Sequence, residues 1–285
     1  MNITPDCISC IFNQALRVTK VLELDEIKSK EILDLAARHL PTFSLEKTPP
    51  TNATPLYEAM AKHLQTDDIY ADIKKLSIEK ALTLKPRCEA LLAQSTDKFL
   101  TATKIAVVGN VIDLASEVMY DLDEEVDKVM ESKFAIDDSD ALYQKLLGSK
   151  KVVYLADNAG ENVFDAIYIT YLKEIFKELE IFYFVRGNPI INDLTLSDME
   201  DDILHTLTTV VDSGVSTPGL VYHDMSAEAK VLFDEADCIL SKGMGNYECL
   251  STNTTHPLYF LLKIKCNVVS AALNRKLGAI ICKKA

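Results

Sequence analysis

The chain has 285 residues, 48% of them apolar and 26% charged, enough to bury a large core in one domain or two. Its 43 acidic residues outnumber 30 basic ones for a net charge of −13, and no Lys/Arg stripe is present, so neither nucleic acid nor a membrane surface is an expected partner. An anionic small substrate would be repelled by the average field and needs a local cation, such as a metal ion.

No run approaches the roughly 18 apolar residues of a spanning helix. The opening "MNITPDCISC" lacks a basic region followed by an apolar block, so no secretory signal is read. With seven Cys, an odd number, this points to a reducing cytoplasm.

The first hundred residues read as helical. Apolar residues follow a 3.6 period over 11–24, a second helix is expected over 28–40, and the four prolines in 41–55 mark a connector. Further helices are expected over 56–64 and 70–84, with Pro86 opening or interrupting the next. The grammar then changes. "KIAVVGN", "KVVYLADN", "IFYFVRGN", "LTTVVDSG", "ADCILSKG", "CNVVSAA" and "AIICKK" are short Val- and Ile-rich runs, most of them separated by helix-length patterns, the clearest over 161–179. Such alternation predicts an α/β fold: a three-layer sandwich with a mostly parallel, Rossmann-like sheet, plus an N-terminal helical part. The division expected is 1–100 for the helical part, a candidate lid, and 101–285 for the α/β domain.

Five of these runs stop in Gly or a polar cluster: Gly109-Asn110 with Asp113; Asp157-Asn158-Ala159-Gly160-Glu161; Arg186-Gly187-Asn188 with Asn192-Asp193; Asp212-Ser213-Gly214; and Ser241-Lys242-Gly243-Met244-Gly245-Asn246. In an open parallel sheet, strand ends lie on one edge and ligands bind in the crevice outside them. There is no GxxxxGK[ST] and no GxSxG, and the lone GxG at Gly243 and Gly245 follows a late strand. What remains is oxygen chemistry. Asp157, Asn158 and Asp193 offer hard donors that suit Mg or Mn, Lys242 and Lys265 supply positive charge, and glycines at strand-to-helix turns expose N–H groups to an anion. Together these form a phosphate-handling set.

Each residue also has a plainer role. Asp157 and Asn158 suit a helix cap, Asp193 a position before the Ser197/Glu200 capping pattern, and Glu161 the favourable end of a helix dipole, its other expected role being a base or substrate contact. Arg186 suits either an ion pair or substrate binding. Cys7 and Cys10 form one CxxC, open to a separate metal site, a redox pair or packing.

The stretches "PDCISC", "GNVID", "DNAGE", "NPIINDLT", "DSG", "SKGMGNYE" and "LLKIKC", in this order from Pro5 to Cys266, resemble the damage-control metal phosphatase family, also called domain of unknown function 89. The N-terminal Cys pair resembles its prokaryote-type branch. The resemblance implies a metal-dependent phosphatase of small phosphorylated metabolites, such as sugar phosphates or damaged intermediates. It places one divalent ion (Mg, Mn, Co or Ni) on Asp157, Asn158 and Asp193, and a phosphate-binding lysine at Lys265. It also lines the same pocket with Asn110, Asp113 and the Lys242–Asn246 turn, including Gly243 and Gly245. The other functions weighed are a non-catalytic sensor of a phosphorylated metabolite, and a methyltransferase, for which the single glycine of "VVGNVID" is a poor cofactor loop.

Overall fold

In the computed structural model, residues 1–111, 122–253 and 255–285 are described. Six helices come first: α1 (Pro5–Val21), α2 (Glu26–His39), α3 (Pro49–Leu64), α4 (Ala71–Gln94), α5 (Lys98–Val111) and α6 (Leu122–Glu131). The strands are β1 (Ile136–Asp137), β2 (Lys151–Leu155), β3 (Glu180–Val185), β4 (Thr209–Asp212), β5 (Cys238–Lys242), β6 (Leu258–Lys263) and β7 (Ile280–Lys284). Between them run α7 (Ser139–Leu147), α8 (Glu161–Ile175), α9 (Leu204–Leu207), α10 (Ala227–Asp234), α11 (Gly243–Leu250) and α12 (Asn267–Leu273).

The strands form one sheet in the order β1-β7-β6-β5-β2-β3-β4. Neighbours are parallel except β6 and β7, so β1 and β7 run opposite to the other five. The predicted mostly parallel α/β sandwich is therefore the fold. Strand alternation sends Val152 and Tyr154 into one core and Val153 and Leu155 into the other. Helices α4, α5, α7 and α8 cover the first face; α10, α11 and α12 cover the second. A third core holds α1, α2 and α3 together, and Ile190, from the loop after β3, inserts into it.

Chain order in the sheet reverses at β2. The crossover through α8 leads to β3 on one side, whereas β5 lies on the other, which makes the β2/β5 edge the switch point where such sheets open a crevice.

Two predicted strands are helices. "KIAVVGN" lies in α5, where Ala102, Ile105, Ala106, Val107 and Val108 are all fully buried between the sheet and neighbouring helices. A helix buried all round has no polar face, so its sequence loses the 3.6 period and imitates a buried strand. The methyltransferase reading, which needed a strand there, loses its footing. "CNVVSAA" is α12, with Cys266 at its cap. The connector over 41–55 also gives way to helix from Pro49, because Pro49 and Pro50 occupy the first turn, where no N–H is needed. Helix α4 runs on through Pro86. No helix among the described residues is long and apolar enough to cross a membrane.

Gly109 marks the closest approach of α5 to α8, since a Cβ there would lie 2.9 Å from the Cα of Glu161. In an ordinary helix interior, Gly→Ala gains about 0.5–1 kcal/mol. Here Gly109→Ala is expected to destabilise the protein by about 1–3 kcal/mol, as overpacking does. The urea unfolding midpoint measures this, and a raised midpoint would show that α5 has room to retreat.

Candidate active site

At the end of β2 the chain does not stop pairing at once. The Ala156 N–H still donates to Phe184 O at 3.0 Å, and Leu194 N–H donates to Asp157 O at 2.9 Å. Ala159 N–H donates to Asn192 O at 2.8 Å, so Asn158 faces Asp193 across an isolated antiparallel bridge. Two loops are thus zipped together, and Asp157, Asn158 and Asp193 come to one place. Gly160, at φ +94°, turns the chain into α8; a Cβ there would meet Ser77 O at 2.9 Å.

The β5 end supplies the other wall. Gly243 has φ +75°, and a Cβ on it would fall 1.8 Å from Asp157 Oδ2, so only glycine lets the Asp157 carboxylate occupy its position. Asn246 braces the crevice from below: its Nδ2 donates to Ala156 O (3.0 Å) and Lys242 O (2.8 Å), and its Oδ1 accepts from Leu220 N–H and Arg186 Nη2.

Side chains around Asp157 form one network. Asn110 Nδ2 donates to Asp157 Oδ2 (3.0 Å) and Glu161 Oε1 (3.1 Å), while its Oδ1 accepts from Lys263 N–H at the end of β6. Asn158 Nδ2 donates to the same two carboxylate oxygens, at 3.1 and 3.0 Å. Glu161 Oε2 accepts from Lys242 Nζ at 2.9 Å, and Lys242 reaches Asp165 Oδ1 at 2.7 Å. Asp165 also accepts from Tyr154 Oη (2.6 Å) and Tyr183 Oη (2.8 Å). On the other side, Arg186 Nε donates to Asp193 Oδ2 at 2.7 Å.

Asp157, Glu161, Asp165 and Asp193 are buried carboxylates, and Arg186 and Lys242 are the two cations bonded to them. Even with Lys265, which acts on Asp157 from the cavity wall, the described cluster holds more negative than positive charge. Burial first, then Glu161 and Asp193, push the Asp157 carboxyl well above the ordinary carboxylate range, although Arg186 and Lys265 pull the other way. Burial likewise raises Asp193 against the pull of Arg186. Asp165 is raised by burial in spite of Lys242. Lys242 is held protonated above its ordinary value: burial opposes its charge, but Asp165 and Glu161 outweigh it. A divalent cation beside Asp157 and Asp193 would supply the missing positive charge, and the two carboxylates and an amide side chain there suit a hard ion.

Above the cluster lies a cavity of about 490 Å³. Of the predicted site residues, Asn110, Asp157, Asn158, Asn192, Asp193, Gly245 and Lys265 line it, and Cys7 and Cys10 line it from α1. Gly160, Glu161, Arg186, Lys242, Gly243 and Asn246 stand behind that surface. The phosphate contact expected of Lys242 is thereby replaced: it is completely buried and bonded to Glu161 and Asp165. For Arg186 the ion-pair alternative is the one the structure shows. Both Glu161 oxygens are occupied by donors, which leaves neither turned to a substrate. Asp113 lies outside the described residues. The Asp212–Gly214 strand end packs beside Gly187 and does not line the cavity.

Cys7 is buried and Cys10 exposed, both as free thiols. Among the described residues no three His, Cys, Asp or Glu side chains converge to hold a metal ion, either at this pair or at Asp157 and Asp193, whose third donor is the amide of Asn158. Two residues of interest were not singled out in the sequence. Asp165 lies one turn beyond Glu161 on α8, and Glu248 one turn beyond Met244 on α11; in each case the i, i+4 spacing of polar residue and site residue was the available signal.

The profile of the damage-control phosphatase ARMT1-like domain matches residues 3–281. The chain is 33% identical to the damage-control phosphatase PH1575 of Pyrococcus horikoshii, over 100% of this chain and 98% of that one. It is 31% identical to a damage-control phosphatase of Archaeoglobus fulgidus, over 99% of each. The crystal structure of PH1575, a DUF89 family protein, superposes with a TM-score of 0.90 at 31% identity, covering 100% of this chain and 99% of the other. From end to end in sequence, and in fold, this chain belongs to the damage-control phosphatase ARMT1-like family.

Proposed function

We propose that the protein is a metal-dependent phosphomonoester hydrolase of small phosphorylated metabolites, such as sugar phosphates or damaged intermediates. The observation that carries this reading is the charge shortfall of the buried carboxylates at the floor of the cavity, at the switch point of the sheet. Full-length similarity to proteins named damage-control phosphatases supports it.

Asp157, Asn158 and Asp193 would hold one divalent ion, Mg, Mn, Co or Ni. The bound ion supplies Lewis-acid neutralisation of charge on the phosphoryl oxygens. The chain's own residues do the rest. Lys265, half-buried on the cavity wall, is placed to pair with a second phosphoryl oxygen. The first turn of α11, with Gly245 on the cavity surface, presents backbone N–H groups and the positive end of a helix dipole to the same anion. Asn110 and Glu161 fix the Asp157 and Asn158 side chains, and Lys242 fixes Glu161, so the donors are oriented before substrate arrives. Residues of α1 and α3 wall the cavity on the side away from the cluster.

Phosphate release from sugar phosphates and p-nitrophenyl phosphate tests the proposal, using metal-stripped protein with Mg, Mn, Co or Ni added back. Release should depend on metal. Asp157→Ala should lower it by at least about a hundredfold, and Lys265→Ala by about a hundredfold. Gly243→Ala should be similarly impaired, because its methyl group claims the space of Asp157 Oδ2. No release with any metal, from folded protein that binds both metal and phosphate, would leave a metabolite-binding protein in place of the enzyme.

The raised Asp157 and Asp193 carboxyls make a second prediction, about stability. Without metal the folded state holds protons that the unfolded state releases, so the stabilisation is complete below the ordinary carboxylate pKa and is lost as pH rises through the folded values. The melting temperature of metal-free protein should therefore fall as pH rises from about 4 toward neutrality. A saturating divalent ion should recover it most at the higher pH. A metal-free melting curve that is flat or rising across that range would contradict the charge shortfall.

A further inference from the structure

The cavity above the cluster has two unlike halves. Its floor is polar, with Asn110, Asp157, Asn158, Asn192 and Asp193, and Lys265 on the wall beside them. Its far wall is mostly apolar, built from Ile11, Pro49, Pro50, Ala53, Ile191 and Val268. Charge on its surface is one-sided. Among the described residues, Lys265 is the only lysine or arginine that lines it, whereas Asp6 and Glu248 add two carboxylates to Asp157 and Asp193.

Glu248 is the more consequential of the two. It follows Met244 by one helical turn, both line the cavity, and it lies mostly out of solvent, whereas Asp6 is exposed at the start of α1. Burial raises its carboxyl to about 7 in spite of the Met1 ammonium, whose bonds go to Glu248 O and Ser251 Oγ. Among the described residues no lysine or arginine lines this wall, and Gln14 and Asn267 are its uncharged polar groups.

Taking the phosphatase reading as its basis, we propose that the cavity selects compact monophosphate esters whose organic part is neutral or cationic and rejects those bearing a second anionic group, with Glu248 as the specificity-determining residue. Once one phosphoryl group has taken the cation site and Lys265, a carboxylate or second phosphate at the other end of the substrate faces apolar surface, the uncharged Gln14 and Asn267, and like charge. Apolar surface cannot solvate it, and Asp6, joined by Glu248 above its raised value of about 7, repels it. A cationic or hydroxylated tail meets the same carboxylates favourably. The volume, about 490 Å³, suits a metabolite rather than a macromolecular segment.

Three phosphate esters of equal length separate tail charge from size: phosphoethanolamine, 2-hydroxyethyl phosphate and phosphoglycolate. Each is measured at a pH of about 8, above the raised value of Glu248, with the metal-loaded protein at fixed free metal, as a substrate, as a competitor of p-nitrophenyl phosphate, and by its effect on the melting temperature. The first two should outperform phosphoglycolate by at least about tenfold in kcat/KM or inhibition constant. Glu248→Gln should narrow that gap to about threefold or less, and Asp6→Asn, at the exposed rim, should narrow it less. Should Glu248→Gln not fold, Asp6→Asn still has to move the ratio in this sense. Equal performance of phosphoglycolate, or a gap that neither variant narrows, overturns the proposal. Hydrolysis of p-nitrophenyl phosphate reports on the phosphatase reading alone, and the melting shifts rank the esters without turnover, so the two readings fail separately.

Discussion

Four carboxylates buried against two cations are the constraint on which the rest of this molecule depends. A cluster of Asp157, Glu161, Asp165 and Asp193 would be too costly to bury without donors for nearly every oxygen, and the fold supplies them. Arg186 serves Asp193; Lys242 serves Glu161 and Asp165; Tyr154 and Tyr183 complete Asp165; the amides of Asn110 and Asn158 share Asp157 and Glu161. What the fold does not supply is the remaining positive charge, and that deficit sits at the cavity floor.

The sheet topology explains why the deficit is there. At the β2/β5 edge two strand ends diverge into helices on opposite faces, which leaves room for polar loops that a continuous sheet would not tolerate. The network then spans both faces: Lys242 and Asp165 belong to the α8 side, and Asn246 and Arg186 to the side of α11. Glycine at 243 is a condition of the arrangement, because any side chain there would displace the Asp157 carboxylate.

Much of this was legible in the sequence. Polar clusters ending Val- and Ile-rich runs marked the sheet edge, and "LADNAGEN" marked its centre, because a chain leaving a parallel sheet must place such residues at the crevice. The failures have a common physical origin. Helix α5 read as a strand because burial on all sides removed its polar face, yet its Asn110 reaches the site from a helix end just as it would have from a strand end. Strand β6, with five of its six residues buried, was not among the runs read as strands. Lys242 and Lys265 were indistinguishable as residues; only the packing shows one bonded beneath the floor and the other on the wall. Most of the far wall was illegible, since Ile11, Pro49, Pro50 and Ala53 come from helices a hundred or more positions before Asp157.

The segment after β3 deserves a last consequence. Ile190 is inserted in the α1–α3 core, Ile191 holds φ +47°, Asn192 binds Ala159 through its carbonyl, and Asp193 clasps Arg186. Four successive residues thus answer to four parts of the molecule, and a β-branched residue in the left-handed region persists only where its surroundings over-determine it. Rocking of the three-helix layer would be transmitted through this short lever to a carboxylate of the cation site. The layer is therefore part of the mechanical frame of the centre as well as its roof, and the geometry of Asp193 is finished only when those helices have docked.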